Sequence, residues 1–333
     1  MNLVTGATGH IGNVLVKKLL AQGGKVRALL LPGEDPAPLA ALDVEQVEGN
    51  VLDYQALASA FEGVHNVYHL AGIISIMPGE DELMQVVNVL GTRNVIQAAR
   101  AARIRRLVYT SSIHAISRVP HGVDIDERLP YDPHNPYGEY DRSKARASLE
   151  VLQAAGRELD AVVVCPTGVI GPNDYRRSEV GHIIHSCVQG KPQLYVEGAY
   201  DFVDVRDVAG GLIQACENGR TGESYILSGE QITVRSLLDA IQEITGKHFP
   251  RVKIPTSLAR FASIFTPFYY RLTKTEPRFT PYSLEVLASN SNICHAKARR
   301  ELGYNPRSLR ESLADTVKWY AENHNLLVST SST

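Results

Sequence analysis

The sequence lacks the basic excess, the paired cysteines and the long apolar runs that mark several classes of protein. Its 34 lysines and arginines are balanced by 36 acidic residues, which gives no electrostatic footprint for nucleic acid. No apolar run is long enough to cross a bilayer, and the first predicted strand begins at Asn2, which leaves no room for a signal peptide. The four cysteines form no Cys-x-x-Cys pair, so we expect reduced thiols in a cytoplasmic protein.

Short apolar runs alternate with helical patterns through the first half of the chain, which predicts an α/β fold. The 333 residues exceed one compact core, so a smaller second lobe is expected. Alternation of strands and helices implies a doubly wound parallel sheet with right-handed crossovers. The predicted strands cover 2–5, 26–31, 44–48, 64–70, 107–111 and 161–165, and the predicted helices 11–22, 83–103 and 140–157.

A glycine-rich segment, Thr5-Gly6-Ala7-Thr8-Gly9-His10-Ile11-Gly12, joins the first strand to the first helix. The spacing G-x-x-G-x-x-G allows a tight turn, a close backbone approach to a pyrophosphate and a helix N-terminus directed at its charge. A glycine triplet alone also occurs in ordinary strand-to-helix turns. Because this one opens the sheet, we interpret it as a dinucleotide-binding loop.

The end of the second strand indicates which dinucleotide is bound. An acidic residue there holds the ribose 2′-hydroxyl of NAD, and an arginine holds the 2′-phosphate of NADP. Leu30 and Leu31 stand at this position, so neither signal is present. A dianionic phosphate without a cation loses more than a diol without an acceptor, and the sequence therefore favours NAD over NADP. Arg27 or a more distant lysine would reverse this preference.

Tyr140 and Lys144 are four residues apart on a predicted helix and share one face. A nearby ammonium group is expected to lower the pKa of Tyr140 toward neutrality. The tyrosine can then exchange a proton with an alcohol or carbonyl while a nicotinamide moves a hydride. The same spacing recurs at Tyr270 and Lys274, which we interpret as incidental because that pair lies in an aromatic segment far from the sheet.

Ser112 closes a predicted strand that ends in hydroxyl groups upstream of Tyr140. A hydroxyl at the carboxyl end of a parallel strand faces the ligand crevice, so Ser112 is a candidate hydrogen-bond partner of the substrate oxygen. Further motifs are GNVLD at 49–53, HLAG at 69–72, NVLGT at 88–92, CPTGVIGP at 165–172 and DFVDVRDVA at 201–209. In this order and over essentially its full length, the chain resembles an extended short-chain dehydrogenase/reductase.

The resemblance implies a catalytic triad of Ser112, Tyr140 and Lys144, with Lys144 also holding the nicotinamide ribose. It implies a cofactor site formed by Gly6, Thr8, Gly9, His10, Ile11, Gly12, Asn50, Val51, Leu70, Ala71, Gly72, Thr110, Tyr140, Lys144, Pro166 and Val169. Asn50 stands where the family usually has Asp. Residues 1–171 are predicted to form the dinucleotide-binding Rossmann domain, with 201–227 returning to it, and 172–200 and 228–325 mainly a substrate-binding lobe.

Family members include nucleotide-sugar epimerases and dehydratases, dihydroflavonol-type reductases and 3β-hydroxysteroid dehydrogenases. The dehydratases place an Asp-Glu pair beside the active-site threonine, and that pair is missing here, where Ile113 and His114 follow Ser112. Many sugar-nucleotide enzymes have an arginine where Tyr200 stands, although Arg176 and Arg177 are possible substitutes. The aromatic segment 255–281 suits a lipophilic substrate, but a lobe core, a membrane-facing surface or a dimer surface explains it equally well.

Three functions remain open on this basis. The first hypothesis is an NAD(P)-dependent carbonyl reductase or alcohol dehydrogenase acting on a fairly apolar small molecule. The alternatives are a nucleotide-sugar 4-epimerase and a non-catalytic dinucleotide sensor, the latter disfavoured because a sensor does not need a proton donor.

Three further expectations concern metals, loop histidines and assembly. The histidine pairs at 65/69 and 182/185 lack a cysteine or acidic cluster, so no metal site is predicted. His114 and His134 are interpreted as solvated loop residues, the alternative being that they face the substrate. The helices 83–103 and 140–157 pair into a four-helix dimer bundle in many family members, so the resemblance predicts a homodimer.

Overall fold

Seven parallel strands form the central sheet of the computed structural model, which describes residues 1–75, 81–156, 158–266 and 280–323. The strands are β1 Asn2–Thr5, β2 Val26–Leu30, β3 Glu45–Glu48, β4 Asn66–His69, β5 Arg106–Thr110, β6 Ala161–Pro166, β7 Gly168–Ile170, β8 Gln193–Tyr195, β9 Ala199–Asp204, β10 Ser224–Leu227, β11 Glu230–Thr233 and β12 Arg251–Lys253. The central order is β3-β2-β1-β4-β5-β6-β10. The order reverses between β1 and β4, which opens a crevice at their carboxyl ends.

Helices cover both faces of this sheet, as the predicted doubly wound fold requires, and further helices pack against the smaller sheet described below. They are α1 His10–Ala21, α2 Tyr54–Ala60, α3 Asp81–Met84, α4 Gly91–Ala101, α5 Glu139–Ala154, α6 Glu179–Val188, α7 Val205–Asn218, α8 Val234–Thr245, α9 Thr256–Ser263, α10 Pro281–Ala288, α11 Ala296–Leu302 and α12 Leu309–Glu322. Successive strand residues enter opposite cores: Leu3 packs with α2, α4 and α5, whereas Val4 packs with α1 and α7. Burial on both faces explains the uninterrupted apolar strands.

The predicted helix 83–103 is interrupted by a π-helical segment, Gln85–Leu90, between α3 and α4. Asn88 lies in this segment. Its side-chain amide donates to Ser143 Oγ at 3.0 Å and to the Ile73 carbonyl at 3.0 Å, and its Oδ1 accepts from the Ile73 amide at 2.8 Å. The wider turn therefore braces the loop after β4 against α5, consistent with the frequent occurrence of π-turns at functional sites.

A second, smaller sheet of order β11-β9-β7 lies beside the first. Its neighbours α6, α8 and α12 enclose a separate apolar core that includes Ile184, Leu238 and Leu313. The segment 201–227 is shared between the two sheets: β10 pairs with β6 and α7 packs on the central core, whereas β9 pairs with β7 and β11. Strand β10 occupies the edge of the central sheet beside β6, and β9 therefore belongs to the smaller sheet. The assignment of two functional lobes stays a prediction.

The C-terminal segment departs from the division into two consecutive lobes. Ala298, Leu302 and Tyr304, expected in the second lobe, are buried in the same apolar core as β1, α1 and α7. The Tyr304 hydroxyl donates to the Ser228 carbonyl at 3.1 Å. Residues close to the end of the chain therefore complete the core of the central sheet.

Several sequence predictions fall outside the described residues. These are the Tyr270–Lys274 pair, residues 267–279 of the aromatic segment, Arg157 at the end of its predicted helix, and residues 324–325 at the end of the predicted substrate-binding lobe. None of the helices in the described ranges is both long and apolar enough to reach across a membrane. All four cysteines are free thiols, and Cys165, Cys187 and Cys216 are buried.

Candidate active site

The glycine loop forms a tight cradle between β1 and α1. Gly6 has a φ of 68°, and a Cβ there would lie 2.8 Å from the Ala71 nitrogen. A Cβ at Gly12 would overlap the carbonyl oxygen of Gly6. Gly9 is the N-cap of α1, so the first backbone amides of the helix are directed into the crevice. The cradle fits a pyrophosphate, because only glycine allows the backbone to pack this closely.

The loop after β4 forms the opposite side of the crevice. The amides of Leu70 and Ala71 both donate to Thr5 Oγ1, at 3.2 Å and 3.1 Å. A Cβ at Gly72 would lie 3.0 Å from Asn88 Oδ1 and 3.8 Å from Lys144 Nζ. The structure thus brings the loop at 70–72 together with the glycine loop and with Lys144.

The other predicted cofactor residues lie around this crevice, some with hydrogen-bonded side chains and others packed in the apolar core. Asn50 Oδ1 accepts the Leu52 amide at 2.9 Å, and Val51 is buried against Gly91. Ile11 packs on the central core, and His10 Nε2 lies 3.2 Å from the Pro172 carbonyl oxygen. Thr8 Oγ1 bonds to Glu34. Pro166 ends β6, and Val169 is half-buried in β7.

Lys144 lies on the face of α5 directed at the end of β5. Its Nζ donates to the Thr110 carbonyl at 2.6 Å and lies 4.8 Å above the Tyr109 ring. Burial lowers the pKa of Lys144 to about 8, because the charged form loses hydration. A buried cation is thereby held at the carboxyl edge of the sheet.

Tyr140 lies one turn before Lys144 on α5 and is buried. The expected lowering of its pKa is wrong for this structure: burial raises the pKa of Tyr140 to about 12, and the hydrogen bond with Ser112 only partly opposes it. The Lys144 ammonium is directed at the Thr110 carbonyl and is not a cause of the shift. The phenol is therefore neutral at physiological pH and able to donate its proton.

Thr110 and Ser112 bring two hydroxyl groups to the end of β5. Ser112 Oγ accepts the His114 amide at 3.2 Å and is within hydrogen-bonding reach of Tyr140. Thr110 is 6% exposed, and its Oγ1 has no hydrogen-bond partner among the residues that the structure describes. A buried hydroxyl without a partner costs free energy, so this atom marks a place where a bound molecule would supply one.

Three aromatic rings line the site beside Tyr140. His114 stacks on Tyr200 with ring centroids 5.8 Å apart and contacts Tyr140 and Tyr282 edge-on or tilted, at 6.4 Å and 6.0 Å. Tyr200 Oη and His114 Nε2 are 2.6 Å apart. Burial lowers the pKa of His114 and raises that of Tyr200, so both groups are neutral. We call His114, Tyr200 and Tyr282 the aromatic wall; the prediction that His114 is a solvated loop residue was wrong.

Asp141 connects the aromatic wall to helix α5. It is 1% exposed, accepts the Tyr282 hydroxyl at 2.6 Å and lies 3.3 Å from Arg118. The Arg118 guanidinium in turn lies 3.7 Å from the centroid of Tyr137. Tyr282 thus joins α10 to the start of α5.

Glu34 is a site residue that sequence reasoning missed. Its Oε1 accepts Thr8 Oγ1 at 2.5 Å, and its Oε2 accepts the Leu31 amide at 2.8 Å. A turn at Pro32 and Gly33 folds this carboxylate back to the end of β2. Arg27, considered as a phosphate ligand, donates instead to the carbonyls of Ala60 and Glu62. The acidic residue expected in NAD-binding folds is therefore present, three positions beyond Leu31.

His69, a member of the histidine pair 65/69, forms hydrogen bonds within the protein. His69 is buried between Thr5 and Thr92, with ring nitrogens 2.8 Å and 3.1 Å from their hydroxyls. Within the described ranges no three His, Cys, Asp or Glu side chains come together as ligands would. His69 braces β1 against β4 and α4.

Comparison with known proteins agrees with this geometry. The model of the NAD dependent epimerase/dehydratase family matches residues 2–228. The chain belongs to this family. It is 39% identical over 322 residues to "Sterol demethylase protein B" of Methylococcus capsulatus, covering 96% of this chain and 98% of the relative. It is 34% identical to a "Putative dihydroflavonol 4-reductase" of Synechocystis, covering 96% and 94%.

Comparison with solved structures finds the same fold. The structure of gox2253 superposes with a TM-score of 0.85 at 34% identity, covering 97% of this chain and 98% of that one. The chain is an enzyme, an oxidoreductase of the extended short-chain dehydrogenase/reductase type, and its family is NAD-dependent. The predicted Rossmann fold class is confirmed.

Proposed function

We propose that the enzyme is a carbonyl reductase or alcohol dehydrogenase that uses a nicotinamide dinucleotide on a fairly apolar small molecule. The observation that carries this proposal is the aromatic wall beside Tyr140. Neutral, stacked rings favour a flat or lipophilic substrate, because they offer apolar area and few charges. The hydroxyl of Tyr200 is bonded to His114, so the wall presents little unpaired polarity.

The same wall argues against a nucleotide-sugar substrate. Tyr200 stands where an arginine would hold the diphosphate, and its ring stacks on His114. Arg176, the possible substitute, is paired with Glu34 and Thr8 at the glycine loop. The names of the two relatives, a sterol-processing protein and a dihydroflavonol reductase, support a polycyclic or aromatic substrate.

The chemistry follows from three side chains. Neutral Tyr140 donates its proton to the substrate oxygen during reduction and takes it back during oxidation. Ser112 hydrogen-bonds the same oxygen and orients it. Lys144, held by the Thr110 carbonyl, would hold the nicotinamide ribose beside Tyr140, the role that the family resemblance implies. When bound, the nicotinamide supplies or accepts the hydride.

The residues of the crevice fit a dinucleotide. The glycine cradle would hold the pyrophosphate, Glu34 the adenosine ribose, and Lys144 with the unpartnered Thr110 hydroxyl the nicotinamide ribose. We assign the remaining contacts to Asn50, Val51, Leu70, Pro166 and Val169 as the family resemblance implies. Because a carboxylate stands at the end of β2, NAD is favoured over NADP.

Assembly and lobe roles are part of the same proposal. Leu90 and Leu149 are 44% and 41% exposed and line one groove between the segment 85–93 and α5. Covering this groove with a second copy would bury both side chains, so we propose a homodimer. The free thiols support the proposal of a cytoplasmic location. The second sheet and its helices would form the substrate-binding lobe.

One measurement separates the candidate functions. The purified protein is denatured and any released nicotinamide nucleotide is identified and quantified. Little bound nucleotide, with turnover of lipophilic ketones or alcohols by added NADH or NAD, is expected of the reductase. Near-stoichiometric NAD would favour the epimerase, which retains its cofactor between half-reactions.

The Tyr140→Phe variant tests the catalytic assignment. Its turnover is expected to fall about 10²–10⁴-fold, while NADH binding measured by fluorescence stays unchanged. Full activity with intact cofactor binding would contradict proton transfer by Tyr140, and a protein that binds NADH without turning over any substrate would support the sensor.

A further inference from the structure

Arg176 reaches across the adenosine end of the crevice and pairs with Glu34. Its Nη2 donates to Thr8 Oγ1 at 2.9 Å and forms an ion pair with Glu34 Oε1. Thr8 belongs to the glycine loop and Glu34 to the end of β2. One cation and one carboxylate therefore stand together where the ribose 2′ position of a bound dinucleotide is read.

The arginine is delivered by a segment that is docked on α1. Asn173 accepts Lys17 Nζ on its Oδ1 at 2.6 Å and Asn13 Nδ2 on its carbonyl at 3.1 Å. The ring of Tyr175 lies 5.5 Å from Lys17 Nζ. These contacts, with that of His10 to Pro172, fix residues 172–175 along the helix that begins at the glycine loop. Arg176 is thus held near Glu34 by contacts that do not involve Glu34.

The two members of the pair differ in how firmly they are held. The Glu34 side chain is 13% exposed and accepts two further hydrogen bonds, whereas the Arg176 side chain is 60% exposed. Burial alone would raise the pKa of Glu34, but the hydrogen bonds from Thr8, Leu31 and Arg176 outweigh it and lower that pKa. The carboxylate is therefore a fixed anion, and the arginine is the member able to turn toward a ligand.

We propose that the Glu34–Arg176 pair sets cofactor selectivity. The Glu34 carboxylate accepts the ribose 2′-hydroxyl of NAD, and Arg176 offsets its charge and receives the 2′-phosphate of NADP. A lone carboxylate would repel that phosphate, whereas a paired one repels it less. The enzyme therefore binds NAD more tightly but retains affinity for NADP. This inference rests on the dinucleotide binding proposed above.

Two variants are expected to move selectivity in opposite directions. Affinities for NADH and NADPH are measured by fluorescence titration, without substrate, at fixed ionic strength. Arg176→Gln leaves Glu34 without its cation, and the ratio Kd(NADPH)/Kd(NADH) should rise about tenfold. Glu34→Gln removes the repulsion and frees Arg176, and the same ratio should fall about tenfold.

Matched neighbours control for net charge and for folding. Arg177→Gln and Asp35→Asn remove the same charges one position along the chain, and neither should change the ratio by more than about twofold. Thermal unfolding of all four variants without cofactor checks that each is folded.

The outcomes separate this inference from the proposed function. If wild-type protein binds neither nucleotide, the proposed function itself fails. If it binds NADH but Arg176→Gln leaves the ratio unchanged, or moves it together with Glu34→Gln, the selectivity role of the pair is overturned and dinucleotide binding stands.

Discussion

Lys144 is expected to make the stability of the enzyme depend on pH in the alkaline range. Its pKa is lowered by burial from 10.5 to about 8, a gap that corresponds to about 3 kcal/mol in the free energy of unfolding. Because the unfolded chain binds the proton more tightly, stability rises with pH between these two values and is lowest below about pH 8. Burial of the charged Lys144 side chain therefore lowers the stability of the enzyme at neutral pH.

Lys144→Met removes the titrating group and keeps most of the aliphatic stem. Between about pH 7 and pH 9.5, the wild type should gain about 2 kcal/mol relative to the variant, as integration of the proton linkage requires. Loss of the hydrogen bond to Thr110 changes the free energy of unfolding of the variant by the same amount at every pH. It does not change how the difference between the two proteins depends on pH. Urea unfolding at several pH values measures it.

Lys191→Met serves as the control, because Lys191 is exposed. Its difference from wild type should stay flat over the same range. A flat difference for Lys144→Met as well would show that Lys144 is hydrated in solution, and the burial argument would be refuted.

Three further changes test other parts of the site. Gly12→Ala places a methyl group on the Gly6 carbonyl and should weaken NADH binding by more than tenfold, about 1.4 kcal/mol; an unchanged titration would contradict the cradle. Tyr282→Phe leaves Asp141 Oδ1 without its donor and should cost about 1–3 kcal/mol in urea unfolding, whereas a neutral result would mean that water replaces the hydroxyl. Leu149→Glu places a charge in the exposed groove and should convert a dimer to monomers in light scattering; a dimer that persists would place the interface elsewhere.

Local patterns in the sequence were sufficient for the central sheet and the glycine loop. Strand β1 and helix α5 begin within one residue of their predicted starts, because apolar runs and glycine breaks act over a few residues. Tyr140 and Lys144 lie on one helix face for the same reason. The fold class and the enzyme class are confirmed, whereas the roles of the individual site residues stay predictions.

Features that depend on contacts between distant segments were not predicted. Glu34 becomes part of the site only when the turn after Leu31 folds back, and a search two or three residues beyond the strand would have found it. His114 is covered by Tyr200, which is 86 residues away. The raised pKa of Tyr140 arises from burial by several elements at once, which spacing on a helix cannot indicate.

The position of α11 and Tyr304 in the core of the central sheet has a consequence for synthesis on the ribosome. Helix α7 and strand β10, on which α11 packs, are complete at Leu227, 77 residues before Tyr304. At about 5–20 residues per second the delay is roughly 4–15 s. During this interval the apolar face that receives Leu302 and Tyr304 stays uncovered on the nascent chain. We therefore expect residues 1–227, expressed alone, to aggregate or to require a chaperone.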